Sequence, residues 1–320
     1  MRSFHFEDGF EERLFQAIPP EFSRFGPVKA GDGVCRLQPV AHWAELNLEA
    51  LPLIPLKKFL LPPRDELWRL EPSGYRPPAA SAPLALAGIP PCDLYGLSYL
   101  DRVFVDDPDY RRRRQNLLVI GTACAPTESC FCPPREKAPP FDLFLASKRI
   151  WVGSPRGEAL LGGLGSDLSD ELEGWLPEEM FQGQRSLPPE NLEELFLARA
   201  ETSLWRQVGS RCVSCGACAA VCPTCYCYDV VDEALPGGPV TRHREWDNCF
   251  FRTHALVAGG HNFRPGREAR LRFRFEHKLL GFGELRGTSS CVGCGRCGRA
   301  CPVDIDIAEV LTALTEGGDR

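Results

Sequence analysis

Residues 212–222 read CVSCGACAAVC and precede Pro223, and residues 291–301 read CVGCGRCGRAC and precede Pro302. We refer to these stretches as the first and the second cysteine motif. Each contains four thiols at the spacing C-x2-C-x2-C-x3-C-P, separated mainly by small residues. Thiolates are soft ligands, and several of them close together favour zinc or iron–sulfur centres. The repeat therefore predicts two metal centres in the C-terminal part of the chain.

The spacing distinguishes between these two chemistries. Structural zinc usually takes two C-x-x-C pairs set well apart, whereas the repeated spacing here is that of a bacterial-type ferredoxin with two [4Fe-4S] clusters. In such a domain the fourth cysteine of each motif ligates the cluster of the other motif. The predicted ligands of the first cluster are Cys212, Cys215, Cys218 and Cys301. Those of the second cluster are Cys291, Cys294, Cys297 and Cys222.

A third metal centre is predicted in the N-terminal half. Cys92 lies between a predicted strand and a predicted helix, and Cys124 ends the next predicted strand. If these strands are neighbours, their ends lie side by side, where Cys130 and Cys132 could join them. The four thiols would hold a third [4Fe-4S] cluster; a zinc site or buried free thiols are the alternatives.

Four cysteines remain outside these three sets. Cys225 and Cys227 alternate in an extended segment and share a face, and Cys249 follows in REWDNC. They could line a cluster or hold a further metal, but three thiols lack a fourth ligand. We interpret them as core thiols or as neighbours of the cluster ligands, and Cys35 as unliganded.

Composition excludes several classes of protein. The 320 residues carry a formal net charge of −6, which argues against binding to nucleic acid. The start of the chain lacks the pattern of a signal peptide, and no apolar run approaches the length of a membrane span. We therefore expect a cytoplasmic protein, in which 16 cysteines are better used for metals than for disulfides.

The periodicity predicts two domains. Residues 1–195 are expected to form an α+β or α/β domain with a mixed sheet, loop-rich over 1–80, with buried strands at 83–90 and 116–123 around a helix over 93–104 that Asp93 caps. Residues 196–320 are expected to form the ferredoxin-like domain with an insertion at 228–285. A continuous amphipathic helix is predicted over 190–208. A helix in 264–282 is expected to place Leu271, Phe275 and Leu279 on one face and Arg267, Arg270 and Arg274 on a face that is solvated or meets an acidic partner.

Several longer stretches resemble a known family. They are LPLIPLKKFLLPPRDELWRL (51–70), GIPPCDLYGLSYLDRVFVDDPDYRRRRQNLLVI (88–120), CFCPP (130–134), CPTCYCYDV (222–230), REWDNC (244–249), GGHNFRPG (259–266) and CVGCGRCGRACP (291–302). Together they are similar to the beta subunit of cytoplasmic sulfhydrogenase-type [NiFe] hydrogenases, and to its relative, the iron–sulfur subunit of anaerobic sulfite reductase. The resemblance covers residues 20–310, and residues 1–50 match it poorly.

The resemblance implies a subunit that carries electrons and has no catalytic site of its own. Its partners would be a flavoprotein that uses NAD(P)H and either the small and large subunits of a [NiFe] hydrogenase or a sirohaem sulfite reductase. The resemblance also supports a third cluster at Cys92, Cys124, Cys130 and Cys132. The alternatives are a stand-alone iron–sulfur reductase of a small substrate, and clusters that serve only folding.

Overall fold

A computed structural model describes residues 1–133, 137–164, 168–175, 191–200, 203–234 and 236–316. The chain divides into two compact units, and its path crosses between them several times. The first unit comprises 1–61, 79–126 and 134–182, and the second comprises 62–78, 127–133 and 183–320. The sequence predicts a single boundary at residue 195. The structure instead assigns two short segments of the N-terminal half to the second unit.

The first unit is built on a mixed eight-stranded sheet. Its strands are β1 (Arg2–Phe6), β2 (Ser23–Lys29), β3 (Cys35–Pro39), β6 (Leu84–Ile89), β7 (Leu117–Thr122), β8 (Leu143–Ala146), β9 (Arg149–Val152) and β10 (Leu168–Glu173). Their order is β10-β1-β9-β8-β7-β6-β2-β3, in which β2, β6, β7 and β8 are parallel and the outer pairs are antiparallel. The mixed sheet predicted from the sequence is confirmed.

Helices follow the central strands of this sheet. They are α1 (Phe10–Gln16), α2 (Lys57–Leu60), α3 (Pro91–Val103), α4 (Pro108–Gln115) and α5 (Pro155–Gly162). Strand β7 is buried at every residue, as expected for a parallel strand covered on both faces. The run of arginines at 111–114 lies in α4, where Arg112 pairs with Asp109 and Arg114 pairs with Asp101. Local acidic residues thus account for much of this basic charge.

Helix α3 begins earlier than predicted. Its N-cap is Pro90, so Cys92 lies in the first helical turn. The expectation that Asp93 caps the helix was wrong: Asp93 is fully buried, and its Oδ2 accepts a hydrogen bond from the Leu56 N–H at 3.2 Å. Residues 1–80, predicted to be loop-rich, contain five strands. Those strands are short, and several carry proline or charged residues, which hides them from a search for apolar runs.

The second unit combines a small antiparallel sheet with short helices. The sheet order is β11-β12-β4-β5, from β4 (Arg64–Glu71), β5 (Gly74–Arg76), β11 (Tyr228–Ala234) and β12 (Val240–Trp246). The helices are α6 (Leu192–Ala198), α7 (Ser203–Arg211), α8 (Ala217–Ala220), α9 (Arg267–Leu280), α10 (Arg296–Arg299) and α11 (Ile307–Thr315). Strand β12 joins the hairpin of β4 to that of β11, and a buried pair links Arg244 to Asp65 at 3.0 Å.

The predicted continuous helix over 190–208 is wrong. The structure has two helices, α6 and α7, and α6 ends at Ala198 with Arg199 as its C-cap. The Trp205 indole N–H donates to the Arg199 carbonyl at 3.0 Å, which satisfies an acceptor that the end of α6 leaves unpaired. The periodicity persisted through this break because Phe196 and Trp205 stack against each other in the same core.

Helix α9 forms as predicted, but its arginine face is not solvated. Leu271, Phe275 and Leu279 pack into the core of the second unit. Arg270 and Arg274 are each only 5% exposed, because the helix is covered on both of these faces. The predicted solvated or docking face is therefore incorrect for these two arginines.

Candidate metal centre

The two cysteine motifs adopt the same backbone conformation. Gly216 and Gly295 have left-handed backbones, with φ of 78° and 68°, and each is the N-cap of a short helix, α8 or α10. A side chain at Gly216 would place its Cβ 2.4 Å from Asn248 Nδ2. The equal spacing in the sequence thus corresponds to equal local folding, in which a glycine turns the chain between the second and third cysteines.

The four thiols of the first predicted set line one cavity. Its walls include the side chains of Cys212, Cys215, Cys218 and Cys301. Cys297 of the second set reaches the same cavity, so the two predicted sites adjoin. Ser214 also lines it, and its hydroxyl oxygen is buried with no hydrogen-bond partner among the described residues. An unpaired hydroxyl among thiols is a suitable donor to a cluster sulfur.

The thiols of the second predicted set lie within electrostatic reach of one another. Burial raises the pKa of Cys291 to about 12, and the Cys222 and Cys294 thiols raise it further. Burial likewise raises the pKa of Cys297 well above its ordinary value, with contributions from Cys291, Cys294 and Cys222. Buried thiols are stable as thiolates only beside a positive centre, which bound iron supplies. The residues of both sets therefore suit an iron–sulfur cluster.

The second motif is covered by residues 127–133. The Phe131 N–H donates to the Gly293 carbonyl at 2.8 Å, and Cys130 Sγ lies 3.7 Å from the Cys294 carbonyl oxygen. A Cβ at Gly293 would come within 2.4 Å of the Phe131 carbonyl oxygen, and one at Gly295 within 2.3 Å of the Ser129 carbonyl oxygen. The glycines of the second motif are required by this close backbone packing.

Two buried cations accompany the cysteine motifs. Arg274 donates to Cys225 Sγ at 3.3 Å and to the Cys218 carbonyl at 2.8 Å. Lys278 donates to the Thr224 hydroxyl at 3.0 Å. Burial opposes the charge on both side chains, but the surrounding thiols raise the pKa of each above its ordinary value. The site thus supplies positive charge for an anionic group.

The cysteines of the predicted third cluster are divided between the units. Strands β6 and β7 are parallel neighbours, so Cys92 and Cys124 follow adjacent strand ends in the first unit, as the prediction required. Cys130 and Cys132 belong to the second unit. A hydrogen bond from Cys132 lowers the pKa of Cys130 to about 5, with further hydrogen bonds from Thr127. The third cluster stays a prediction.

The remaining cysteines occupy different surroundings. Cys249 is buried in the core of the second unit, and Cys225 accepts the hydrogen bond from Arg274. Burial raises the pKa of Cys227, and the nearby Cys249 adds to the rise. Cys35 lies buried in β3. None of the sixteen cysteines, all of which the structure describes, forms a disulfide, and no three described Cys, His, Asp or Glu side chains are arranged to hold a single metal ion.

Comparison with known proteins agrees with this geometry. Residues 211–305 match the model of the 4Fe-4S dicluster domain. The chain is 33% identical over 312 residues to sulfhydrogenase 2 subunit beta of Pyrococcus furiosus, an alignment that covers 92% of each protein. The chain belongs to the sulfhydrogenase beta subunit family. The family predicted from the sequence is therefore confirmed. No solved structure matches the chain.

Membership of the sulfhydrogenase beta subunit family extends beyond the dicluster domain, since the alignment covers nearly the whole chain. Among the described residues, no helix has both the length and the apolar character needed to cross a membrane. Sequence reasoning missed the residues that surround the thiols, namely Ser214, Thr224, Arg274 and Lys278. Only the regular spacing of 270, 274 and 278 on one helical face could have indicated them.

Proposed function

We propose that this chain is the electron-transfer subunit of a multi-subunit oxidoreductase. Two [4Fe-4S] clusters, bound by the crossed sets of cysteines, would accept and release single electrons. The observation that carries the proposal is the placement of Cys212, Cys215, Cys218 and the distant Cys301 around one cavity that Cys297 also reaches. This is the arrangement expected when the fourth cysteine of each motif serves the other motif's cluster.

The residues of the chain would perform three tasks for this function. The left-handed glycines shape each motif so that three thiols face one point. The core around Phe250, Leu271 and Phe275 excludes water from the first set of thiols. Arg274 and Lys278 supply buried positive charge that offsets part of the charge on the thiolates. None of these tasks requires a substrate pocket.

The finer proposal concerns partners. The chain would relay electrons between a flavoprotein subunit that oxidises or reduces NAD(P)H and the small and large subunits of a [NiFe] hydrogenase. The name of the relative, a beta subunit of a sulfhydrogenase, supports assembly with other subunits. The alternative assembly is an anaerobic sulfite reductase in which the final partner is a sirohaem subunit. The location would be cytoplasmic.

Anaerobic purification of the tagged chain from its native host tests this function. We expect brown material with iron and acid-labile sulfide, a paramagnetic signal after dithionite, and copurifying flavin and nickel–iron subunits. Sirohaem in place of nickel would select the alternative assembly. Zinc without sulfide would contradict the cluster assignment, and turnover of a small substrate by the isolated chain would contradict a purely electron-transferring role.

We further propose a third [4Fe-4S] cluster bound by Cys92, Cys124, Cys130 and Cys132. The placement of Cys92 and Cys124 after adjacent parallel strands supports it, as does the first turn of α3 at Cys92. Replacing all four cysteines by serine should remove about one-third of the iron if three cubanes are present. Replacing Cys35 by serine is the matched control. Unchanged iron in the fourfold variant would disprove the third cluster.

A further inference from the structure

Helix α9 buries three cations along one face. Arg270, Arg274 and Lys278 are spaced by four residues, and each is no more than 5% exposed. A buried cation is costly unless hydrogen bonds and opposite charge compensate it. Arg270 is compensated by the carbonyl oxygens of Arg264 and Pro265 in the turn that precedes the helix. The other two point toward the cysteine motifs.

Lys278 makes a directed hydrogen bond beside a predicted cluster ligand. Its ammonium donates to Thr224 Oγ1 at 3.0 Å, and Thr224 Oγ1 lies 3.4 Å from Cys222 Sγ. An ammonium group can only donate, so the threonine oxygen must accept from it. The threonine hydrogen is then free to point to Cys222 Sγ. Thr224 is fully buried, which keeps water from competing for this position.

The backbone of Lys278 contacts the same thiol set. Its carbonyl oxygen accepts hydrogen bonds from the N–H groups of Ser290 and Cys291, at 2.9 and 3.0 Å. Main chain and side chain therefore hold opposite ends of one predicted ligand set, since Cys291 and Cys222 are assigned to the same cluster. The position of Lys278 is thus fixed relative to that cluster.

The first cluster lacks this arrangement. The position two residues after the last cysteine is Thr224 in the first motif and Val303 in the second. Val303 lines the cavity of the first thiol set and has no hydroxyl to offer Cys301. Arg274 lies near thiols of both sets, so its charge acts on both. Only the chain of Lys278 and Thr224 distinguishes the two clusters.

We propose that Lys278 and Thr224 selectively raise the reduction potential of the cluster bound by Cys291, Cys294, Cys297 and Cys222. The inference rests on the proposed electron-transfer function. Reduction adds a negative charge to the cluster, and a nearby buried cation stabilises that charge. A hydrogen bond to Cys222 Sγ withdraws electron density and acts in the same direction. Both are positioning residues, because they act through Cys222.

Redox titration of the complete chain, purified anaerobically in its complex and followed by EPR, tests the proposal. The relevant signal is the one that Cys222→Ser alters and Cys301→Ser leaves. For Thr224→Val we expect the equilibrium constant for reduction to fall roughly three- to tenfold through loss of one hydrogen bond. A tenfold fall corresponds to about 59 mV for one electron. Thr224→Ser keeps the hydroxyl and should titrate as the unaltered protein does.

Lys278→Met should lower the same potential by at least as much, while Lys278→Arg should restore most of it. Where Lys278→Met prevents loading of iron, the pair of Thr224 variants decides the question. Full iron with unchanged potentials in Thr224→Val, or equal shifts of both signals, would overturn the inference and leave the proposed function intact. A chain without clusters in the unaltered protein would overturn the proposed function itself.

Discussion

The two cysteine motifs share spacing and backbone conformation but differ in what surrounds them. In the first motif Val213 is 55% exposed and Cys215 is exposed; in the second the equivalent Val292 and Cys294 are each 7% exposed. The difference arises from residues 127–133, which cover the second motif through Phe131. Ligand spacing therefore sets where a cluster binds, and neighbouring segments set how closely water or a partner can approach it.

This contrast assigns different roles to the motifs. An exposed cluster can exchange electrons with another protein over a short distance, whereas a covered cluster exchanges with centres inside the chain. The cavity shared by Cys301 and Cys297 places the two sets next to each other. We therefore expect electrons to pass between a partner near the first motif and the covered second cluster.

The largest effects should come from variants that test the crossing of ligands. Cys301→Ser and Cys222→Ser should each remove one cluster, or about half of the iron that the two motifs hold. Because Cys218 and Cys301 serve one cluster, their double serine variant should lose no more iron than Cys301→Ser alone.

The double variant of Cys218 and Cys222 provides the matched comparison. Both cysteines lie in the first motif, yet they are assigned to different clusters, so this variant should lose both. Iron and sulfide analysis with EPR separates the cases. If Cys218 with Cys222 removed only one cluster, each motif would bind its own cluster and the crossing would be refuted.

The next effect should distinguish the glycine of the second motif from the serine of the first. Gly293 has φ of 71°, and a Cβ there would lie 2.4 Å from the Phe131 carbonyl oxygen. Gly293→Ala should lower the free energy of unfolding by about 2–4 kcal/mol through backbone strain and overpacking. Anaerobic denaturant unfolding measures it.

Ser214 occupies the equivalent position, with φ of 55°. Ser214→Gly should change the free energy of unfolding by less than about 1 kcal/mol, since glycine suits this backbone but gains freedom in the unfolded chain. Similar losses in both variants would mean that residues 127–133 do not constrain the second motif.

Part of this molecule could be predicted from its sequence. The cysteine spacing indicated both motifs, and the apolar runs at 84–89 and 117–122 indicated the central strands of the sheet. These signals are local: ligand spacing and strand periodicity both act over about ten residues or fewer. The strands within residues 1–80 gave no such signal, because they depend on pairing with distant partners.

The surroundings of the thiols could not be predicted for a related reason. Helical periodicity places charged residues on the solvated face by default, so Arg274 and Lys278 were expected to be exposed or to dock. Their burial depends on the packing of α9 against the cysteine motifs, which lie far apart in sequence. The break between α6 and α7 was hidden because Phe196 and Trp205 continue the apolar pattern across it.

A smaller, kinetic difference should follow from exposure. With Cys215 exposed, ferricyanide should destroy the first cluster faster than the covered second cluster, by a factor on the order of ten. The decay of each EPR signal after oxidant addition measures the rates, with signals assigned from Cys301→Ser and Cys222→Ser. Slowing of the loss in the complete complex would indicate that a partner covers the first motif, whereas equal rates in the isolated chain would contradict the contrast in exposure.

The smallest effect should come from the different elements into which the two motifs lead. After the first motif the chain enters strand β11, whereas after the second it enters helix α11, whose N-cap Asp306 accepts hydrogen bonds from the N–H groups of Ala308 and Glu309. Asp306→Ala should cost about 1 kcal/mol of stability through loss of the cap, and Asp306→Asn should retain most of it. Helix α11 buries Leu311 and Leu314 in the core next to the thiols, so a loosened helix should also speed loss of iron on heating. A thermal scan that records unfolding and iron release together measures both, and a loss above about 3 kcal/mol would show that Asp306 does more than cap the helix.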